Sequence, residues 1–443
     1  MIKRLQAYPM IILLLPLVVA ILFSERAGWL YPPDFEGYDS LRVYSFVLTS
    51  APRETKKCWR YETEQKVLLY VLRDSTRAIP RAGDTIMART RIKQGGQIGQ
   101  FDYGLYLKRQ GIIGSAYVRN YQLLATDNPP KEPLQKRLYG RLAAAGLQGD
   151  ELATTAAMTL GYKEDLDPTL RRQFQASGAA HVLAVSGLHT GIIYGLLLWL
   201  LTFGGRLKPL YENRAGRWTL SAVIVAVMWF YAWLTGMTPS VVRAVLMVTI
   251  FEVARMAYRQ AISLNTIAAA AVLILLVRPL DLWSVSFQLS FAATSAIVLV
   301  AKEAERLFNR KNLRFTWYGR LVAWLLGIVI VSLAAQLGTL PITMYTFGQF
   351  STYFLLTNLI VLPIASLLVP CGLASVALGG TWLGVFVGKI TGYLAWAMNH
   401  AVGWIESLPM STIPVSIGLG MVAVYYGLWI AEICILRTYR IRL

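Results

Sequence analysis

Histidine is almost missing from this chain: 443 residues contain three, His181, His189 and His400. An imidazole-based metal centre needs more ligands than His181 and His189 supply, and His400 lies far away in sequence, so no metal is expected. Cysteine is as scarce. Cys58, Cys371 and Cys434 form no C-x-x-C pair, and the last two fall in apolar blocks, which excludes a disulfide framework. Charged residues make up only 15% of the chain, far below the usual share of a soluble protein of this length. There is no P-loop and no kinase-like glycine loop, so the chain has no nucleotide-driven motor of its own and no cofactor is implied. Internal repeats and low-complexity segments are also lacking.

Long apolar runs are what the chain has instead. Hydrophobic residues reach 56%, in blocks of about 20, the length that crosses a bilayer core. The first run is Leu5–Phe23, interrupted by Pro9 and Pro16. No small-x-small cleavage site follows it cleanly, so it reads as a membrane helix and not as a signal peptide. Further runs lie near 182–203, 219–235, 239–257, 264–278, 285–301, 321–341, 353–378, 383–402 and 413–436. Lys3 and Arg4, the basic segments after the second, fourth and sixth runs, and the basic C-terminus all fall on one side if both termini are cytoplasmic. The run at 383–402, with Lys389, Asn399 and His400, is the weakest and could equally lie along the interface.

Topology explains much of the net charge of +19, but not all of it. Residues 38–126 hold 15 Lys and Arg against 7 Asp and Glu, an excess of 8, and this stretch is placed outside. Its short alternating segments, with one helical stretch between them, predict a small barrel of OB type. The basic excess points to an anionic partner, with Lys56, Lys57, Arg60, Arg89, Arg91, Lys93, Lys108 and Arg109 as the candidate contacts. Tyr61, Tyr70, Phe101, Tyr103, Tyr106 and Tyr117 interleave with them, as stacking platforms or as barrel core.

The expected fold class is therefore a polytopic α-helical membrane protein of about ten transmembrane helices with an inserted extracytoplasmic β-barrel domain of OB type. The boundaries read as an N-terminal helix over 1–29, the β domain over 30–126, a helical connector over 127–178 and a channel domain over 179–443.

Polar groups recur where a membrane makes them costly. His181, Ser186, Gly187 and His189 interrupt the start of the second run. Pro239 and Ser240 precede Arg243; Gln288 and Ser290 enter the sixth run; Gln336 stands near Pro341, and Asn358 near Pro363. Arg278 and Asp281 are spaced to pair. Five interrupted helices favour a polar path over a simple anchor. Three other readings stay open: small residues for close helix packing, an intramembrane serine hydrolase built on Ser186 with His189 or His400 as base, and an exporter of another anionic polymer. The G-x-S-x-G elbow is absent, because Ser186 follows Ala184-Val185.

Taken together, these stretches resemble the ComEC family of competence proteins. The resemblance rests on H-x-L-A-x-S-G-L-H at 181–189, P-S-x-x-R-A at 239–244, F-Q-L-S-F at 287–291, Ala335-Gln336 with Leu340-Pro341, and Asn358 with Pro363. GDTIMARTRI and GQFDYGLYLKRQGIIG upstream are similar to the end of that family's outer β domain. The resemblance implies passage of single-stranded DNA through the cytoplasmic (inner) membrane, within the lipid bilayer. It also implies a cytoplasmic motor ATPase or helicase and a DNA receptor, and is compatible with a homo-oligomer. Many relatives carry a metallo-β-lactamase-like nuclease domain. No H-x-H-x-D-H pattern occurs in this sequence, so the nuclease is expected in a separate protein or in a longer product of which this chain is one part.

Overall fold

The computed structural model describes residues 9–31, 37–50, 52–55, 57–74, 79–98, 101–124, 133–203, 213–257, 263–308 and 317–439. The chain divides into two compact units. A helical unit comprises Met1–Leu15, Leu134–Val277 and Ser284–Leu443; a β unit comprises Pro16–Pro133 and Arg278–Trp283. Helix α1 (Pro9–Arg26) contains the division.

The β unit holds β1 (Arg42–Val47), β2 (Arg53–Glu54), β3 (Cys58–Glu62), β4 (Val67–Leu72), β5 (Thr85–Thr90), β6 (Ile92–Lys93), β7 (Gln97–Ile98) and β8 (Phe101–Asp102). Helix α2 (Tyr103–Arg109), β9 (Gly114–Val118) and β10 (Gln122–Leu124) complete it. Asp102 caps α2 by accepting from the Leu105 amide at 2.8 Å. The expected closed barrel of OB type is not what forms. Among the described residues the strands make a three-stranded sheet, β1-β5-β10, a five-stranded sheet, β2-β3-β4-β9-β6, and the short β7-β8 pair. The reason lies at Arg91. There the chain passes from β5, which pairs with β1 and β10, to β6, which pairs with β9, so the ladder changes sheet. Elsewhere a lone bridge, Leu48 to Thr63, links the two sheets. Phe46, Leu48, Tyr61, Leu69, Ile86 and Ala116 fill the space between them. Alternation along each strand aims these residues inward and their neighbours out.

The helical unit contains α3 (Leu134–Ala144), α4 (Gly149–Thr159), α5 (Pro168–Ala176), α6 (Gly187–Leu201), α7 (Arg214–Leu234), α8 (Pro239–Met256), α9 (Ser263–Val277), α10 (Val285–Phe308) and α11 (Trp317–Phe347). It ends with β11 (Gln349–Ser351), α12 (Phe354–Leu378), α13 (Trp382–Glu406), β12 (Thr412–Pro414) and α14 (Leu419–Tyr439). Against the expectation of about ten crossing helices, three described helices, in α7, α11 and α12, are long and apolar enough to cross a bilayer. Shorter apolar stretches make up α6 and most of α9 and lie within α10 and α14, which are themselves 24 and 21 residues long. At 177–186 the chain spends residues of an apolar run on a break, which leaves α6 only 15 residues long.

The stretch read as a helical connector over 127–178 contains α3, α4 and α5, and α4 packs deep in the helical unit. Helix α4 is buried from Leu152 to Thr159. Glycines make room for it and its neighbours. A side-chain carbon at Gly372 would lie 2.5 Å from Thr159 Cγ2, and one at Gly388 would lie 2.0 Å from the Ala145 carbonyl oxygen. Helix α13 buries one stripe, Gly384, Gly388, Thr391, Ala395, Met398, Val402 and Ile405, at helical spacing. It is a packed member of the unit. Thr154 of α4 donates to Asn399 Oδ1 of α13 at 3.0 Å.

Candidate functional site

The break before α6 answers why two histidines stand there. Helix α5 ends at Ala176; the Ser177 and Gly178 amides take the Gln173 and Gln175 carbonyls, and the carbonyls that follow need other donors. Side chains supply them. Ser351 Oγ donates to the Ala176 carbonyl at 2.9 Å, Thr357 Oγ1 to the Ser177 carbonyl at 2.7 Å, and His181 Nδ1 bonds the Gly178 carbonyl at 3.2 Å. Gly178 adopts φ +87°, a left-handed turn that glycine accepts without strain. The apolar residues of the break, Ala179, Val182, Leu183 and Val185, are buried, which pins it in the core.

His189 works from the other side. Its Nδ1 accepts the Ser186 amide at 3.0 Å and lies 3.2 Å from Ser186 Oγ, closing the first turn of α6 as a cap. A carbonyl needs a proton on Nδ1 of His181, whereas an amide needs a bare Nδ1 on His189. The two rings therefore differ at Nδ1, protonated in His181 and bare in His189. His189 is fully buried, and its Nε2 has no hydrogen-bond partner among the described residues.

The remaining candidates line up along successive helix contacts. Gly187 of α6 faces α8, where a side-chain carbon would approach Ala244 Cβ to 3.9 Å. Arg243, one residue earlier, is buried and donates through Nη2 to Ser286 Oγ of α10 at 2.7 Å. Pro239 is the first residue of α8, where its missing N–H costs nothing, and Ser240 follows half-buried. On α10, Gln288 and Ser290 are half-buried, and the Ser290 carbonyl accepts Thr294 Oγ1. Helix α10 packs on α11 at Gly338, where a side-chain carbon would lie 2.6 Å from Ala296 Cβ. Gln336 is half-buried and Pro341 is buried inside α11. Asn358, next to Thr357 on α12, is buried with no partner for Oδ1 among the described residues. Pro363 lies further along the same helix, its carbonyl taken by Ser366. The contacts thus run from the break through α6, α8, α10 and α11 to Ser351 and α12, then back to the break.

Sequence reasoning missed Glu252. This carboxylate of α8 is fully buried and accepts Tyr194 Oη of α6 at 2.7 Å and Ser221 Oγ of α7 at 2.6 Å. It pairs with Arg255 Nη2 at 2.7 Å. An acid three residues before a basic residue, inside an otherwise apolar run, was the available signal. Arg255 is therefore an ion-pair partner.

In the β unit the candidates separate. Arg60, Tyr70 and Tyr117 are direct cross-strand partners on β3, β4 and β9, so they share one face. Tyr70 and Tyr117 stack with centroids 4.8 Å apart at 12°, and Tyr117 is 61% exposed. Lys93 pairs with Ser115, two residues from Tyr117, and joins the same face. Tyr103 of α2 bonds Tyr70 and lies beside Arg60; burial first, then Tyr70, raises its hydroxyl pKa. Lys57, Arg89 and Arg91 are exposed, but Arg89 belongs to the other sheet. Tyr61 is core, its hydroxyl donating to the Pro80 carbonyl at 3.0 Å. Tyr106 is exposed and stacks on Tyr103. Lys108 is half-buried on α2. Lys56 lies outside the described residues, and nothing is described of the Phe101 side chain.

Arg109 is committed to structure. It bonds Glu25 through Nε at 3.0 Å and Nη2 at 2.7 Å, and lies 4.0 Å above the Trp283 ring. Tyr31 also donates to Glu25. Burial, followed by that bond, pushes the Tyr31 hydroxyl up to about 12, so it stays protonated at neutral pH. Arg278 and Asp281 do pair, at 3.6 Å.

No group of three or more His, Cys, Asp or Glu among the described residues could hold a metal ion. The Ser186–His189 geometry has the outline of a nucleophile and base. However, the one lone pair on Nδ1 already faces the Ser186 amide, which leaves it poorly free to take the hydroxyl proton. An activated phosphonate is expected to label neither the wild type nor Ser186→Ala. Labelling that disappears in Ser186→Ala would establish a hydrolase.

Comparison with known proteins gives the same direction. A family model described as Competence protein matches residues 158–439. ComE operon protein 3 of Bacillus subtilis (strain 168) is 29% identical over 329 residues, 73% of this chain and 39% of that protein. Competence protein ComA of Neisseria gonorrhoeae is 29% identical over 201 residues, 44% of this chain and 28% of that protein. Recombination protein 2 of Haemophilus influenzae is 24% identical over 333 residues, 75% of this chain and 41% of that protein. The chain spans less than half the length of each of these relatives. No solved structure matches it. With the family model covering well over half of its length, from within α4 to the end of α14, the chain belongs to the ComEC family of competence proteins.

Proposed function

We propose that this chain carries single-stranded DNA across the cytoplasmic membrane during natural transformation. The observation that carries the reading is the Arg60–Tyr70–Tyr117 row with Lys93 beside it. Such a face offers a nucleobase a flat ring and its phosphate a cation, which is how unpaired strands are held without sequence preference. The β unit then lies outside, both termini lie inside, and the helices that carry Arg243, His189 and Asn358 form the polar route through the bilayer. A motor ATPase or helicase, a DNA receptor and a nuclease act as separate partners, and the channel is compatible with a homo-oligomer.

The test uses the full chain in nanodiscs and a labelled oligonucleotide. Tyr117→Ala is expected to weaken binding by about 1–3 kcal/mol, roughly 5- to 150-fold. Arg60→Ala is expected to lower the salt slope by about 1. Wild-type affinity in both variants would remove the face from the reading. Transformation frequency, scored beside surface-bound DNA in a deletion strain, tests passage itself. Transformants should vanish while DNA still accumulates outside. Survival of transformation would turn the reading toward export of another anionic polymer.

A further inference from the structure

Helix α11 contains a defect that its neighbour repairs. Pro341 stands inside a 31-residue helix and has no N–H to give the carbonyl four residues back, which is Leu337. In a bilayer no water replaces that donor. Two consecutive tyrosines of α14 reach across. Tyr425 Oη donates to the Leu337 carbonyl at 3.0 Å, and Tyr426 Oη donates to the Gly338 carbonyl at 2.7 Å. The orphaned carbonyl and the next one along therefore receive hydroxyls from the same helix. On its other side Gly338 is pressed against α10, with the Ala292 carbonyl oxygen 2.8 Å from where a side-chain carbon would be.

Beyond Pro341, α11 and α14 are joined a second time. β11 pairs with β12, the Val415 amide donates to the Gly348 carbonyl at 3.0 Å, and the Thr352 amide donates to the Ser411 carbonyl at 3.2 Å. The segment between the two joints, residues 341–347, is thus held to α14 at both ends. It leads straight to Ser351, whose hydroxyl holds the Ala176 carbonyl at the break before α6.

We propose that Tyr425 and Tyr426 are a latch on the Pro341 bend: they substitute for the backbone donor that proline removes, and their release lets α11 flex at Pro341 while the β11–β12 joint holds its far end. A main-chain ladder bond opens only when helix is lost. A side-chain hydroxyl lets go by rotating, so the exchangeable bonds sit at the one point where α11 can flex. The latch itself stands apart from the functional reading above; its use in passage rests on that reading.

Amide hydrogen exchange of the full chain in nanodiscs tests the latch without any transport. Tyr425→Phe with Tyr426→Phe is expected to speed exchange over residues 338–345 about tenfold. Pro341→Ala restores the N–H and is expected to slow it. In the Pro341→Ala background Tyr425→Phe should change exchange by less than about twofold, because the restored main-chain amide now satisfies the Leu337 carbonyl. Equal effects of Tyr425→Phe with and without Pro341 would overturn the latch. Transformation is then scored in Pro341→Ala at matched membrane levels. A loss of at least about tenfold supports a working hinge, and full transformation overturns that role. If deleting the gene leaves transformation intact, the transport reading fails while the exchange arms still decide the latch.

Discussion

Glu252→Ala should remove most folded protein from the membrane. The carboxylate is 0% exposed and ties three helices, through Tyr194 of α6, Ser221 of α7 and Arg255 of its own helix α8. Deleting it takes the carboxylate acceptor from two hydroxyls and a partly buried guanidinium together. Breaking a buried pair from one side costs about 3–5 kcal/mol, a large part of the whole stability of a domain. Glu252→Gln keeps one acceptor oxygen and should cost less, about 1–3 kcal/mol. A paired change, Glu252→Leu with Arg255→Met, removes both charges and should recover much of the loss. The measurement is the melting curve of detergent-solubilised protein by size-exclusion chromatography, with membrane levels scored in parallel. A wild-type curve for Glu252→Ala would show that the cluster does not hold the helices. Failure of the paired change to recover stability would instead mark the carboxylate as needed for its charge.

Gly388→Ala should be the second severe change, and Gly392→Ala, one turn along the same helix, its harmless control. A side-chain carbon at Gly388 would lie 2.0 Å from the Ala145 carbonyl oxygen, and a backbone atom cannot rotate away. Helix α13 would have to lift off the turn that follows α3. Overpacking of this kind costs about 1–3 kcal/mol or more. At Gly392 nothing lies within 4 Å, so alanine there should be neutral or should stabilise the helix by up to about 1 kcal/mol. The difference between the two melting temperatures is the quantity to read. Equal curves would mean that residues 134–176 do not seat against α13.

The helical class of the chain was readable because crossing length and apolarity are properties of local composition. The β character of 41–126 was readable too, since alternation has a period of two residues. Barrel closure was not, because it depends on which strands pair. At Arg91 the chain leaves one sheet for the other. Thr90 pairs with Arg42 on β1, far back along the chain, while Ile92 pairs with Ala116 on β9, well ahead of it. A short window around Arg91 contains neither partner, so it carries no sign of the switch. The eight basic candidates were equivalent in sequence. The fold sorts them, placing Arg60 and Lys93 beside stacked tyrosines and spending Arg109 on Glu25 and Trp283.

Residue order alone marks where the backbone turns or loses a donor: Gly178 turns the chain after α5 and Pro239 opens α8, while α11 and α12, expected to be interrupted, run on through Pro341 and Pro363. Proline and glycine act on their own backbone and need no partner to do so. What repairs each lost donor is settled by packing. Thr357 reaches Ser177 across 180 residues, Tyr425 reaches Leu337 across 88, and Tyr194 reaches Glu252 across 58. A freed carbonyl or a buried acid states a need for a donor without naming one. The donor is chosen by which helices pack together, and that choice belongs to the whole chain.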